Sequence, residues 1–266
     1  MLRSSNPVLS RNDAFTPGST RQAHFPGYPQ QPGSGPQDPQ RDQGVMTLDD
    51  VVTKTGIMLG LVVIVAAAVF FLLPPQILFP ASIVASLATI VVVFIVASRR
   101  IISPALVGVF AVVEGVMVGG ISKIFESFYP GIVVQAVFAT FVAAALTLAA
   151  YKFFNIRVTP KFQKVIFIAT AAFAVVMLLN LVLSLLGINL GLRTGVTGPV
   201  SLLAIGVSAI AVVLAVLNLV LDFDYIERGI EMGAPASQSW KAAFGLTVTL
   251  VWLYVEMLRI ISYFRR

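Results

Sequence analysis

Three carboxylic acids interrupt stretches that are otherwise almost purely apolar. Glu114 lies in Val112-Val113-Glu114-Gly115-Val116-Met117-Val118-Gly119-Gly120, and Asp222 in Leu221-Asp222-Phe223-Asp224-Tyr225-Ile226-Glu227-Arg228-Gly229. Glu256 lies in Thr249-Leu250-Val251-Trp252-Leu253-Tyr254-Val255-Glu256-Met257-Leu258-Arg259. Two carboxyls brought together in low dielectric cannot both ionise cheaply, so they can share a proton and titrate as a pair. The doubly ionised pair would suit a hard cation such as calcium, which prefers oxygen ligands. The chain has no cysteine, and its one histidine, His24, lies in a Pro/Gly-rich stretch. Disulfides, thiolate metal sites, cysteine catalysis and His-built zinc sites are therefore excluded. Buried acids without His or Cys point to proton sensing and cation passage.

The elements that must position these acids are apolar blocks too long for a soluble core. The 266 residues are 58% hydrophobic and 11% charged, against roughly 25% charged in a soluble domain. A membrane-spanning helix needs about 20 mostly apolar residues to cross ~30 Å of hydrocarbon. Seven such blocks occur, near 56–73, 77–97, 104–125, 131–153, 164–186, 200–222 and 243–264. Pro74-Pro75, Pro80, Ser103-Pro104, Pro130-Gly131, Pro160 and Gly198-Pro199 punctuate them. The sequence thus predicts an all-α, polytopic membrane domain over 47–266, with about seven transmembrane helices.

Residues 1–46 differ in kind. Their run of Pro, Gly and Gln around His24–Pro39 cannot form a helix or bury a core, and a disordered, solvated tail is expected. No continuous apolar region marks it as a signal peptide. Thr47 can cap the first helix, and Asp49 and Asp50 suit its positive end. Gly56 with Gly60, and Gly115 with Gly119, set small residues one turn apart for close helix contact.

The net charge of +6 resides largely in short loops, which is a signature of orientation rather than of nucleic-acid binding. A cytoplasmic N-terminus puts Lys54, Arg99, Arg100, Lys152, Arg157, Lys161, Lys164, Arg228 and Lys241 inside. Lys123 and Arg193 then lie outside, as do Arg265 and Arg266, which run against the rule. The inner membrane of a cell, with the N-terminus in the cytoplasm, is the expected location.

A charged side chain at the centre of a membrane helix costs roughly 2.5–3.5 kcal/mol, so each acid is expected to face a cavity or a partner. Glu114 either serves an ion path or is a protonated residue bonded to neighbouring backbone. Trp252, Glu256, Arg259 and Tyr263 fall on one stripe of the seventh block, continued backward by Gly245 and Ala242. That face belongs against protein or water, so helix seven is expected in the interior. Arg259 is a possible counter-charge for Glu256 or a snorkelling residue. Asp222, with Asn218 one turn earlier on the same face, is either interfacial or functional. Asp224 points elsewhere, and Glu227-Arg228 is expected to begin a solvated loop.

With Phe110-Ala111-Val112-Val113-Glu114-Gly115, Leu221-Asp222-Phe223-Asp224-Tyr225-Ile226-Glu227 and Leu253-Tyr254-Val255-Glu256 in this order, the chain resembles the Bax inhibitor-1 family, also called the transmembrane Bax inhibitor motif family, in its bacterial branch. The resemblance covers about 47–264. It implies seven helices with the last surrounded by the others, and a pH-sensitive calcium leak. The family's acidic pH sensor between helices six and seven would fall on Asp222 and Glu256, with Glu114 lining or gating the path. This chain has Glu where the family's helix-seven acid is typically Asp, and Asp224 competes for the helix-six position. Glu256 lies roughly 20 Å along its helix from Lys241 at 1.5 Å per residue, so direct pairing with Asp222 requires tilt, a later helix start or a water bridge.

Three functions follow as expectations, none of them enzymatic. The first is a calcium leak gated by protonation of Asp222 and Glu256, with calcium itself a possible occupant there and no resident cofactor. The second is a membrane interaction protein that regulates a membrane protease or another partner, with the tail as its handle. The third is a proton-coupled transporter of a small solute. Ser–His chemistry lacks a membrane histidine, and the acids match no GxGD-type motif.

Overall fold

The computed structural model describes residues 44–99, 102–154, 156–194, 196 and 199–265. The expectations for residues 1–43, for Arg100, Gly198 and Arg266 fall outside these. Seven helices follow in order: α1 Leu48–Leu72, α2 Pro75–Ser98, α3 Pro104–Phe128, α4 Ile132–Phe153, α5 Pro160–Leu185, α6 Leu202–Glu231 and α7 Gln238–Phe264. Each is long and apolar enough to span a bilayer, and a 25-residue helix reaches roughly 37 Å.

Helices α1 and α5 start earlier than their apolar blocks, with polar residues satisfying the first free N–H groups. Thr47, Ser103, Thr159 and Ser201 each accept a bond from the third residue beyond, and proline stands at the first position of α2, α3 and α5. Glu126 does similar work between α3 and α4. Its carboxylate accepts from the N–H groups of Gly131 (2.5 Å) and Val133 (3.1 Å), while Gly131 takes a left-handed φ of 82°. Pro80 does not end a helix but lies inside α2, near its start, at the cost of the bond its missing N–H would make.

The central helix is α7. It packs against α1, α3, α4 and α6, while α2 lies outside on α3 and α5 lies outside on α6. This fits its residues: Phe244, Val251, Leu253, Tyr254 and Leu258 are all buried. The small residues of α3 bring its neighbours close. A Cβ on Gly115 would lie 2.6 Å from that of Val65, one on Gly119 would overlap the backbone of Ala66, and one on Gly120 would overlap the hydroxyl of Ser82. Gly56 and Gly60 differ from expectation, since a side chain at either would meet open space.

In contrast, α5 buries one residue, Ile166. Its ties to the bundle include Asn218 of α6 donating to Thr170 at 2.8 Å and Phe173 stacking on Trp252 of α7.

We call the end where α1 begins proximal and the end where it finishes distal. At the proximal end, residues 44–46 lie across the α6–α7 connection. Val45 pairs with Pro235, Met46 N–H donates to Ala234 at 2.7 Å, and Ala236 N–H donates to Gly44 at 2.8 Å. Met46 is 2% exposed, seated with Val51, Ile226 and Ala242. Lys54 donates to Asp50 and to the carbonyl of Ala236, and lies over the Trp240 ring.

Candidate functional site

Glu114 is ten residues into α3, roughly 15 Å from its start. It is 5% exposed, and Thr89 of α2 donates to its Oε2 at 2.9 Å. Gly115 beside it lets α1 close over this level of the bundle. A carboxyl with one hydroxyl partner keeps acceptor positions unused, which is the condition a passing cation or proton could exploit.

Asp222 meets α7 rather than the loop. Thr249 donates to its Oδ2 at 2.7 Å, with the carbonyl of Gly245 a competing acceptor at 3.1 Å. Gly245 makes the approach possible, because a Cβ there would lie 3.1 Å from Oδ1. The reason Asp222 sits this deep is that α6 does not end at it. The helix continues to Glu231, and Glu227 and Arg228, expected to begin a solvated loop, belong to it.

That charged last stretch of α6 is held by its own pairs. Arg228 Nε meets Asp224 Oδ2 at 2.9 Å, Arg228 also donates to the carbonyl of Val158, and Tyr151 of α4 donates to Glu227 at 2.6 Å. Asp224 is thus engaged in tying α6 to the α4–α5 side and does not meet α7's acid. Asn218 is likewise turned to Thr170 and the carbonyl of Leu214, not to Asp222.

Glu256 is 2% exposed and carries the densest charge constellation among the described residues. Arg193, from the α5–α6 connection, binds it with both arms: Nη1 to Oε2 at 3.0 Å and Nη2 to Oε1 at 2.8 Å. Arg259, one turn on, donates to Oε1 at 3.0 Å. Ser208 of α6 and Trp252 lie against the same carboxylate. Arg193 is held from behind by Met177 and by the Phe173 ring, both on α5. The planar guanidinium fork matches a carboxylate bidentately, which makes this a directional contact and not merely a charge pair.

The shared-proton pair is where structure and expectation part. Asp222 is bonded at Thr249 and Glu256 lies seven residues further along α7, roughly 10 Å by helix rise. Each carboxyl has its own partners, and no bond joins them among the described residues. No three acids or histidines converge among the described residues. Asp222 with the Thr249 hydroxyl, and Glu114 with that of Thr89, instead form separate oxygen stations.

Sequence reasoning identified the acids and named Arg259 as a counter-charge for Glu256, which the structure pairs with it, but missed Arg193, Thr89 and Thr249. Arg193 carried one signal, a cation standing alone among apolar and glycine residues of a long connection. Thr89 and Thr249 carried none, because a threonine inside an apolar helix usually bonds its own backbone.

Comparison with known families matches residues 6–266 to the family described as Bax inhibitor 1 like. No curated protein matches the sequence.

Proposed function

This chain belongs to the Bax inhibitor 1 like family, and on that premise we propose that it is a pH-sensitive calcium leak of a bacterial inner membrane, with its N-terminus in the cytoplasm. The observation that carries the reading is the buried, two-armed bond from Arg193 to Glu256, which ties the α5–α6 connection to the central helix. The gate is then a latch between a carboxylate and two arginines, not two acids sharing a proton. While Glu256 is ionised, its single negative charge draws both arginines and holds the connection down over α7. Protonation removes the negative charge, and the bidentate contact goes with it. Arg193 is then free to leave with its loop. Below the latch, Asp222 and Glu114 offer oxygen ligands to a cation in transit, as calcium requires. No catalytic role is assigned.

The sign follows. Calcium flux into liposomes holding the purified protein rises as pH falls. Arg193→Ala raises flux at every pH between 6 and 8, and Glu256→Gln flattens the pH profile at the raised level. Asp222→Asn lowers flux without abolishing its pH dependence. Wild-type flux equal to that of empty liposomes would end the proposal, and an unchanged pH profile in Glu256→Gln would end the latch.

A second reading, regulation of a membrane partner through the tail, is favoured by one feature. The chain entering α1 is bonded to the α6–α7 connection through Met46, Lys54 and their backbone partners. Force on the tail therefore reaches the helix that carries Asp222.

A further inference from the structure

A crevice of about 430 Å³ opens on the flank of the bundle between α1 and α4, two helices that do not pack on each other. Its floor is α3 and α7, at Val118, Gly119, Ser122, Val251 and Tyr254. We propose that it is a binding site for one acyl chain of an anionic phospholipid, whose phosphate is held between Lys123 and Arg265.

Four observations carry this. The crevice lies on membrane-spanning helices and opens sideways, so the medium it faces is hydrocarbon. Its polar lining is already engaged within the protein. Ser122 and Tyr254 bond each other at 2.6 Å, Thr140 bonds the carbonyl of Ala136, and Glu126 accepts the two N–H groups at the head of α4. It therefore suits a hydrocarbon guest better than water, which needs two to four polar partners. On α1 it runs from Leu59 to Phe71, roughly 18 Å by helix rise. That is close to the depth of one leaflet's hydrocarbon, about half of ~30 Å.

The last observation concerns charge. The two walls end distally in cations bound to wall backbone. Lys123 Nζ donates to the carbonyl of Leu73, just past α1, and Arg265 donates to the carbonyl of Pro130, just before α4. A chain threaded between the walls brings its headgroup phosphate to this pair. A helix of a second copy would be far wider than a cleft of this volume, since a helix with its side chains is about 10–12 Å across.

The test uses the full-length protein in liposomes doped with a phospholipid carrying a photoactivatable diazirine midway along one acyl chain, as phosphatidylglycerol or as phosphatidylcholine. After illumination, adducts are mapped by peptide mass spectrometry. The expected result is labelling concentrated on 59–71 and 133–141 over α2 and α5, several-fold stronger for phosphatidylglycerol. Ala67→Trp, which fills the crevice from an exposed position on its α1 wall, abolishes that concentration. Lys123→Ala with Arg265→Ala keeps the labelled positions but loses the headgroup preference. Labelling spread evenly over α2 and α5, or unchanged in a monodisperse Ala67→Trp protein, would overturn the site. So would disulfide cross-linking between copies through Val63→Cys, which would place a second chain on this face.

Discussion

At the scale of single residues, each membrane acid is defined by its partner. Glu256 has two arginines, whereas Asp222 and Glu114 have one threonine each. Thr249 is the sharpest probe, because valine matches its shape and lacks its hydroxyl. Thr249→Val leaves a half-buried carboxyl without its donor and is expected to cost about 1–3 kcal/mol, read as a lower midpoint in detergent unfolding. Asp222→Asn retains an oxygen that can accept from Thr249 and is expected to cost less. The reverse order would show that Thr249 matters only to its own helix. The acids were legible in the sequence because a charge in an apolar block is costly and calls for a partner or a cavity. So was Arg259, one turn from Glu256, but Arg193 was not, since it is 63 residues from Glu256 and only the folded connection brings it back.

Helices tell a similar story with a different cause. Block interiors were plain from composition, but ends were not, because composition changes before the helix stops. Glu227 and Arg228 look like the start of a loop, yet Arg228 pairs with Asp224 one turn earlier and α6 runs onward to Glu231. The glycines divide in the same way. Both spaced pairs have equal sequence merit, and only Gly115 and Gly119 meet a neighbour, because they lie on the face of α3 that packs on α1. Gly119→Val is therefore expected to destabilise the bundle by about 1–3 kcal/mol through forced separation of α1 from α3. Gly60→Val, facing open space, is expected to leave the unfolding midpoint unchanged in the same assay.

For the whole molecule, the proximal strap and the outlying α5 matter most. A chain that begins at residue 44 keeps Met46 in its seat, and one that begins at residue 47 empties it. Removing a buried methionine contributes a loss of about 2–5 kcal/mol. The longer truncation is thus expected to loosen the α6–α7 connection, read as faster amide exchange at Ile230–Ala236, while the shorter one leaves exchange there unchanged. Equal exchange in both would mean the strap holds nothing. Sequence alone placed residues 44–46 with the tail because three residues carry no periodicity to read.

The slight attachment of α5 has a mechanical consequence. Its 26 residues reach roughly 39 Å, more than ~30 Å of hydrocarbon needs, and a helix that overreaches its bilayer leans. With so little side-chain burial to resist, its lean is set by the lipid, and the connection beyond it carries Arg193. Thin short-chain bilayers should tip α5 further and tug on that arginine, so calcium flux at neutral pH should rise as acyl chains shorten, and Arg193→Ala should be indifferent to them. A protein built this way would register the thickness of its membrane at the same contact that is proposed to register acid.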